Sequence, residues 1–167
     1  MSGGPLRLRA LDREDFELIA ACLQDSLIPV SDMQFLAAEQ RFVLVANRFR
    51  WENCTETADQ PETPPQPGSR TEIPGGTSEP CQTYERVNCG VTFEGVQRVR
   101  RRGIDPLGRG SILELLTFQF ESGAVAMVFA GDAALRLEGP SISCRMEDIG
   151  EPWPTLWRPR HVAGETA

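Results

Sequence analysis

Two-residue alternation of apolar and polar side chains runs through most of this chain, whereas the 3.6-residue period of a helix occurs once. "LRLRAL", residues 6–11, alternates leucine with arginine and predicts a short strand with one wet face. In "LDREDFELIAACLQDS" the apolar positions Phe16, Ile19, Ala20 and Leu23 recur at i, i+3, i+4 and i+7. Asp12 stands where an N-cap belongs, Asp15 follows three residues on, and Leu11 and Phe16 have the spacing of a hydrophobic staple. One amphipathic helix is expected over about residues 13–25.

Beyond the helix, "DMQFLAAEQRFVLVANRFRW" predicts two strands joined by a turn near Ala38-Glu39-Gln40. Phe42, Leu44 and Ala46 share one face of the second strand and Val43 and Val45 the other, so it is expected inside the sheet, buried on both sides. Strand character resumes in "YERVNCGVTFEGVQRVRRRGI", and the last third reads as a meander. "ILELLTFQFE" places Leu116, Phe118 and Phe120 inward, and Ser122-Gly123 turns into "AVAMVFA". Gly131-Asp132 turns into "AALRLEG", and Pro140 leads to "SISCRMED", with Ile142, Cys144 and Met146 inward. Consecutive hairpins build antiparallel sheet. The expected fold is α+β, an antiparallel meander sheet of about seven strands with one N-terminal amphipathic helix; a partly closed β-barrel is the alternative.

Between residues 52 and 80 the alternation stops. This stretch holds six prolines and no leucine, valine, phenylalanine or methionine, too little apolar surface to offset the entropy of ordering it. Its six acids against Arg70 supply −5 of the chain's net charge of −7, so the remainder is close to neutral. The 167 residues are read as a single domain, with a disordered acidic proline-rich loop at 53–80 and a flexible tail at about 154–167. Trp153 or Trp157 is a candidate for tying the tail down.

All 17 basic residues are arginine, which excludes Schiff-base, Walker and general-base lysine chemistry. No apolar run is long enough for a signal peptide or membrane span, so a cytoplasmic chain with reduced thiols is expected. The five cysteines show no C-x-x-C spacing; Cys54 and Cys81 bracket the loop and are read as free thiols, with a clip across its base as the alternative. No metal site or cofactor is expected. His161, the single histidine, lies in the tail, where general-base geometry is poorly held, and serine and cysteine nucleophiles lack their usual activator. No catalytic residue is assigned.

Among the acids, Asp12, Glu14 and Asp15 suit a helix start, and Asp25 and Asp32 suit turns, although either could face a cleft. Glu114 interrupts an apolar run, and alternation with Ile112 and Leu116 would put it on the apolar face. "DPLGRGS" and "IPGGTS" read as turns, since neither precedes a helix N-terminus. The densest cationic feature is "QRVRRRGID", residues 97–105. Alternation sends Arg98, Arg100 and Arg102 to one face, with Arg101 beside them and Val99 toward the core, which makes these four arginines the binding candidates. Their targets would be an anionic protein surface or, with less support, nucleic acid or a small anion; pairing with acids of the same chain competes with both. Phe49 and Trp51 in "NRFRW" are candidates for an interaction edge.

Residues 23–52 ("LQDSLIPVSDMQFLAAEQRFVLVANRFRWE"), 100–105 ("RRRGID") and 128–153 ("VFAGDAALRLEGPSISCRMEDIGEPW") resemble a family of short bacterial cytosolic proteins known only as a domain of unknown function. Against that family, residues 53–80 stand as an insertion. The resemblance implies a cytosolic bacterial protein and carries over no site residues. The function expected is therefore that of a non-enzymatic interaction or accessory protein with a protein partner and no membrane; oligomeric state is not legible.

Overall fold

The computed structural model describes residues 4–53, 84–105, 107, 108 and 110–159. The proline-rich segment with Cys54 and Cys81, and His161 in the tail, lie outside the described residues. Helix α1 spans Arg13–Leu23 and buries Phe16, Ile19 and Leu23. The Asp12 carboxylate accepts the Asp15 N–H at 2.9 Å, and the Asp15 carboxylate accepts the Leu11 N–H at 3.1 Å, so two acids satisfy orphan donors reciprocally. Leu11 is 64% exposed, while Phe16 is buried. The helix stops short of residue 25 because the chain is captured by the sheet: Asp25 takes a left-handed φ of 61°, and its N–H donates to Leu115 O at 2.9 Å.

Ten strands follow the expected antiparallel plan: β1 (Arg7–Ala10), β2 (Leu27–Pro29), β3 (Met33–Leu36), β4 (Arg41–Phe49), β5 (Tyr84–Glu94), β6 (Arg98–Arg102), β7 (Ile112–Glu121), β8 (Ala124–Phe129), β9 (Ala134–Glu138) and β10 (Ser143–Thr155). Their order is β1-β10-β5-β4-β2-β7-β8-β9-β6, with β3 attached to β4. The count exceeds about seven partly because β2 and β3 are short pieces separated by a 3-10 turn, Val30–Asp32. Strand β4 is interior, paired with β5 on one side and with β3 and β2 in succession on the other. β10 runs through Thr155, so the first residues assigned to the tail are sheet; Trp153 is in register with Arg86, while Trp157 is exposed.

Strand β7 departs from strict alternation. Its pairing with β8 shifts between Leu115 and Thr117, a bulge that places Leu116 outside the ladder. Before the bulge Leu113 and Leu115 face inward, and after it Phe118 and Phe120 do. Leu116 is 42% exposed, contrary to the inward placement expected for it. Glu114 is likewise exposed rather than on the apolar face, because it is out of phase with Leu113 and Leu115.

The inward faces and α1 enclose one core built around Ile19, Leu44, Phe93, Met127 and Met146. The sheet curls around this core but is not closed, so the barrel alternative does not describe it. β6 ends the strand order, and β3 pairs with β4 alone. Val96, two residues before β6, donates its N–H to the O of Gln40, just before β4, at 2.9 Å.

Candidate binding cleft and arginine edge

Antiparallel register fixes where the arginines point. Arg98, Arg100 and Arg102 pair with Glu138, Arg136 and Ala134 of β9, and directly opposed residues share a face. That face is exposed, while Val99 turns the other way and packs against the core. The row is partly answered within the chain. Arg100 Nε lies 3.1 Å from Glu138 Oε1, and Arg136 bonds both Glu138 and Glu121. Those hydrogen bonds, that of Glu121 foremost, hold the Arg136 guanidinium above its ordinary pKa. Among the described residues, Arg98, Arg101 and Arg102 have no carboxylate at ion-pair distance.

Arg101 is separated from the row by the pleat and lines a cleft of about 550 Å³ between β3 and β6. Met33, Phe35, Phe42, Val99, Ile104 and Leu135 supply apolar lining, with Ser31, Asp32, Gln34 and Arg101 as its polar groups. Asp32 thus does face a cleft, held there by the 3-10 turn that interrupts β2 and β3. One carboxylate and one guanidinium on a lining of mixed polarity can orient an extended ligand through polar and apolar contacts. The cleft was hidden from sequence inspection because its walls come from segments about 65 residues apart that meet only through the curl of the sheet.

A second cluster lies under β4. Arg48 is fully buried, with Nε and Nη2 donating to Asp148 Oδ1 and Oδ2, both at 2.7 Å. Its Nη1 and Nη2 also donate to Glu52 Oε2 and Oε1 at 3.0 and 2.8 Å, and Asp148 Oδ2 accepts the Leu6 N–H at 2.9 Å. Burial disfavours the Arg48 cation, but the hydrogen bonds from Asp148 and Glu52 outweigh it and hold the pKa above its ordinary value. Burial would likewise raise Glu52, but the bonds from Arg48 hold its carboxyl below the usual range. Next to it, Arg50 Nη1 donates to Glu85 Oε2 at 2.7 Å. These groups join both chain ends of the segment between Asn53 and Tyr84, as a clamp in the core and not an open site.

The same region corrects the expectation for Phe49 and places Trp51 beside it. Phe49 is fully buried, its ring 4.6 Å from Trp51, 5.6 Å from Tyr84 and under the Arg86 guanidinium at 5.8 Å. Trp51 is half-buried and donates to Gln24 O at 3.3 Å. Phe49 is therefore core and not a contact edge, while Trp51 packs on it with part of its surface exposed. The signal for the Arg48 pair was present but unread: Arg48 continues the inward phase of Phe42, Leu44 and Ala46, and Asp148 that of Cys144 and Met146.

The thiols of the described residues are placed for packing. Burial pushes Cys89 up to about 12 and also raises Cys144 and Cys22, which disfavours the nucleophilic thiolate. Asp25 is a buried turn residue, and the Asp105 carboxylate accepts the Leu107 N–H at 2.9 Å. Among the described residues no three His, Cys, Asp or Glu side chains are grouped to hold a metal, and no helix is long and apolar enough to cross a membrane.

The stretches that carried the sequence resemblance, "NRFRWE" and "DIGEPW", meet in three dimensions at the Arg48–Asp148 pair. No curated protein and no solved structure matches the chain. A family model described as "Protein of unknown function (DUF2948)" matches residues 6–161, nearly the whole chain, and the protein therefore belongs to that family.

Proposed function

We propose that this is a non-enzymatic interaction protein of the bacterial cytoplasm, whose contact surface is the cleft between β3 and β6 together with the arginines of β6. One observation carries the reading: the sheet stops short of closure, leaving a cleft of mixed polar and apolar lining beside a strand edge with four arginines, of which Arg100 alone has an acid partner among the described residues. Apolar surface beside unneutralised charge is a combination that a partner can cover. The cleft's chemistry agrees with binding. Among the described residues it presents a single carboxylate, Asp32, where acid–base catalysis by carboxylates alone would use two.

The test is site-specific photo-crosslinking in the native cell. A benzophenone side chain in place of Gln34, at the cleft, should give a discrete protein adduct that the same group in place of Glu14, on α1, does not. Equal adducts from both positions, or none from Gln34, would remove this reading. So would turnover in a substrate screen that disappears on changing Asp32 to Asn.

A further inference from the structure

Among the described residues, strand β6 has β9 on one side and no strand on the other, so a row of its backbone N–H and C=O groups has no sheet partner there. A second strand laid antiparallel along that side would set each residue opposite one residue of β6 and on the same face. Acids opposite Arg98, Arg100 and Arg102 would each meet a guanidinium on the solvent face. An apolar residue opposite Val99 would enter the cleft toward Phe35, Phe42 and Leu135, and a further acid would reach Arg101 at its wall. We propose that the β6 edge and cleft bind an acidic, extended segment of a partner protein by strand addition, an inference that rests on the interaction reading above.

Charge selects this occupant over two others. A second copy pairing β6 with β6 would oppose two rows of three arginines on the solvent face, so the edge repels its own kind. Nucleic acid is disfavoured because Glu121 and Glu138 interrupt the same face, and the residues paired across β6, β9, β8 and β7 there offer no aromatic ring for a base to stack on. A peptide needs neither a continuous cationic track nor a stacking platform. It takes its affinity from the backbone ladder and its selectivity from alternate side chains.

The probe is a fluorescein-labelled peptide with the central sequence Glu-Glu-Glu-Val-Glu, titrated with the full chain and followed by anisotropy. It should bind, weaken as salt rises, and lose roughly tenfold or more in affinity to the combined Arg98→Gln, Arg100→Gln and Arg102→Gln variant. A peptide of equal charge with proline at alternate positions, unable to donate ladder hydrogen bonds, should not bind. A lysine-for-glutamate peptide should bind the corresponding triple arginine-to-glutamate variant, which controls for loss of folding. Equal binding of the proline peptide would reduce the contact to bulk charge and overturn strand addition. Tighter binding of a single-stranded oligonucleotide of the same charge would overturn the peptide as ligand. If the acidic peptide fails while the Gln34 crosslinks persist, the partner chemistry is wrong and the interaction reading stands; if both fail, both fall.

Discussion

A fully buried guanidinium persists in this core because Asp148 and Glu52 each meet Arg48 with both carboxylate oxygens. Removing one partner strands the other's charge away from water. Arg48→Met should therefore cost about 3–5 kcal/mol in chemical denaturation, and adding Asp148→Leu should recover part of that loss, because a buried pair replaced by apolar groups leaves no orphan charge. Glu52 adds a pH dependence of definite sign. Its folded-state pKa lies below the ordinary carboxylate value of about 4.5, so its stabilisation is complete above that value and is lost as pH falls through the depressed one. Unfolding free energy measured against pH should fall on the acid side of about 4.5, and Glu52→Gln should flatten that slope. The arginine at position 48 was visible in the sequence, yet only the phase of alternation, followed two residues past Ala46, would have shown that Arg48 points inward.

At the scale of elements, the helix was legible because its signals are local: a cap at Asp12, an acid at Asp15 and an apolar stripe within a few residues. Most of the strands were legible for the same reason. The loop between Phe129 and Ala133 turns on Gly131 and Asp132, which take positive φ of 76° and 60°, as the Gly-Asp pair foretold. Strand β7 shows where local reading ends. Leu115 and Leu116 are chemically identical, and the bulge that separates them is set by the pairing with Phe129 and Val128 across the sheet. Leu115→Ala should cost about 2–5 kcal/mol by urea unfolding, whereas Leu116→Ala should stay within about 0.5 kcal/mol. Equal losses at the two positions would show that alternation continues through the strand. The short β2 escaped detection because three residues, "LIP", hold no period, and only its neighbours β4 and β7 define it.

Over the whole molecule, the curl of the sheet is what creates a surface. It brings the β5–β6 turn against the β9–β10 connection at Gly95 and Gly139. Gly95 has a φ of 83°, and a Cβ there would strike the backbone carbonyl of Ser141. Gly131 has a similar φ, but a Cβ there would meet nothing within 4 Å. Gly95→Ala should thus destabilise measurably more than Gly131→Ala, where the left-handed backbone alone costs about 1–2 kcal/mol, with thermal melting as the readout. The same curl carries the arginine edge around to face β3 across the cleft. By itself the sequence determined the antiparallel meander, the helix and the exposed phase of Arg98, Arg100 and Arg102, since each depends on neighbours a few positions away. Only the tertiary structure decided that Phe49 is core, that Arg48 meets Asp148 a hundred residues on, and that Asp32 and Arg101 line one cleft, because these depend on strand order, register and closure, which local alternation does not encode.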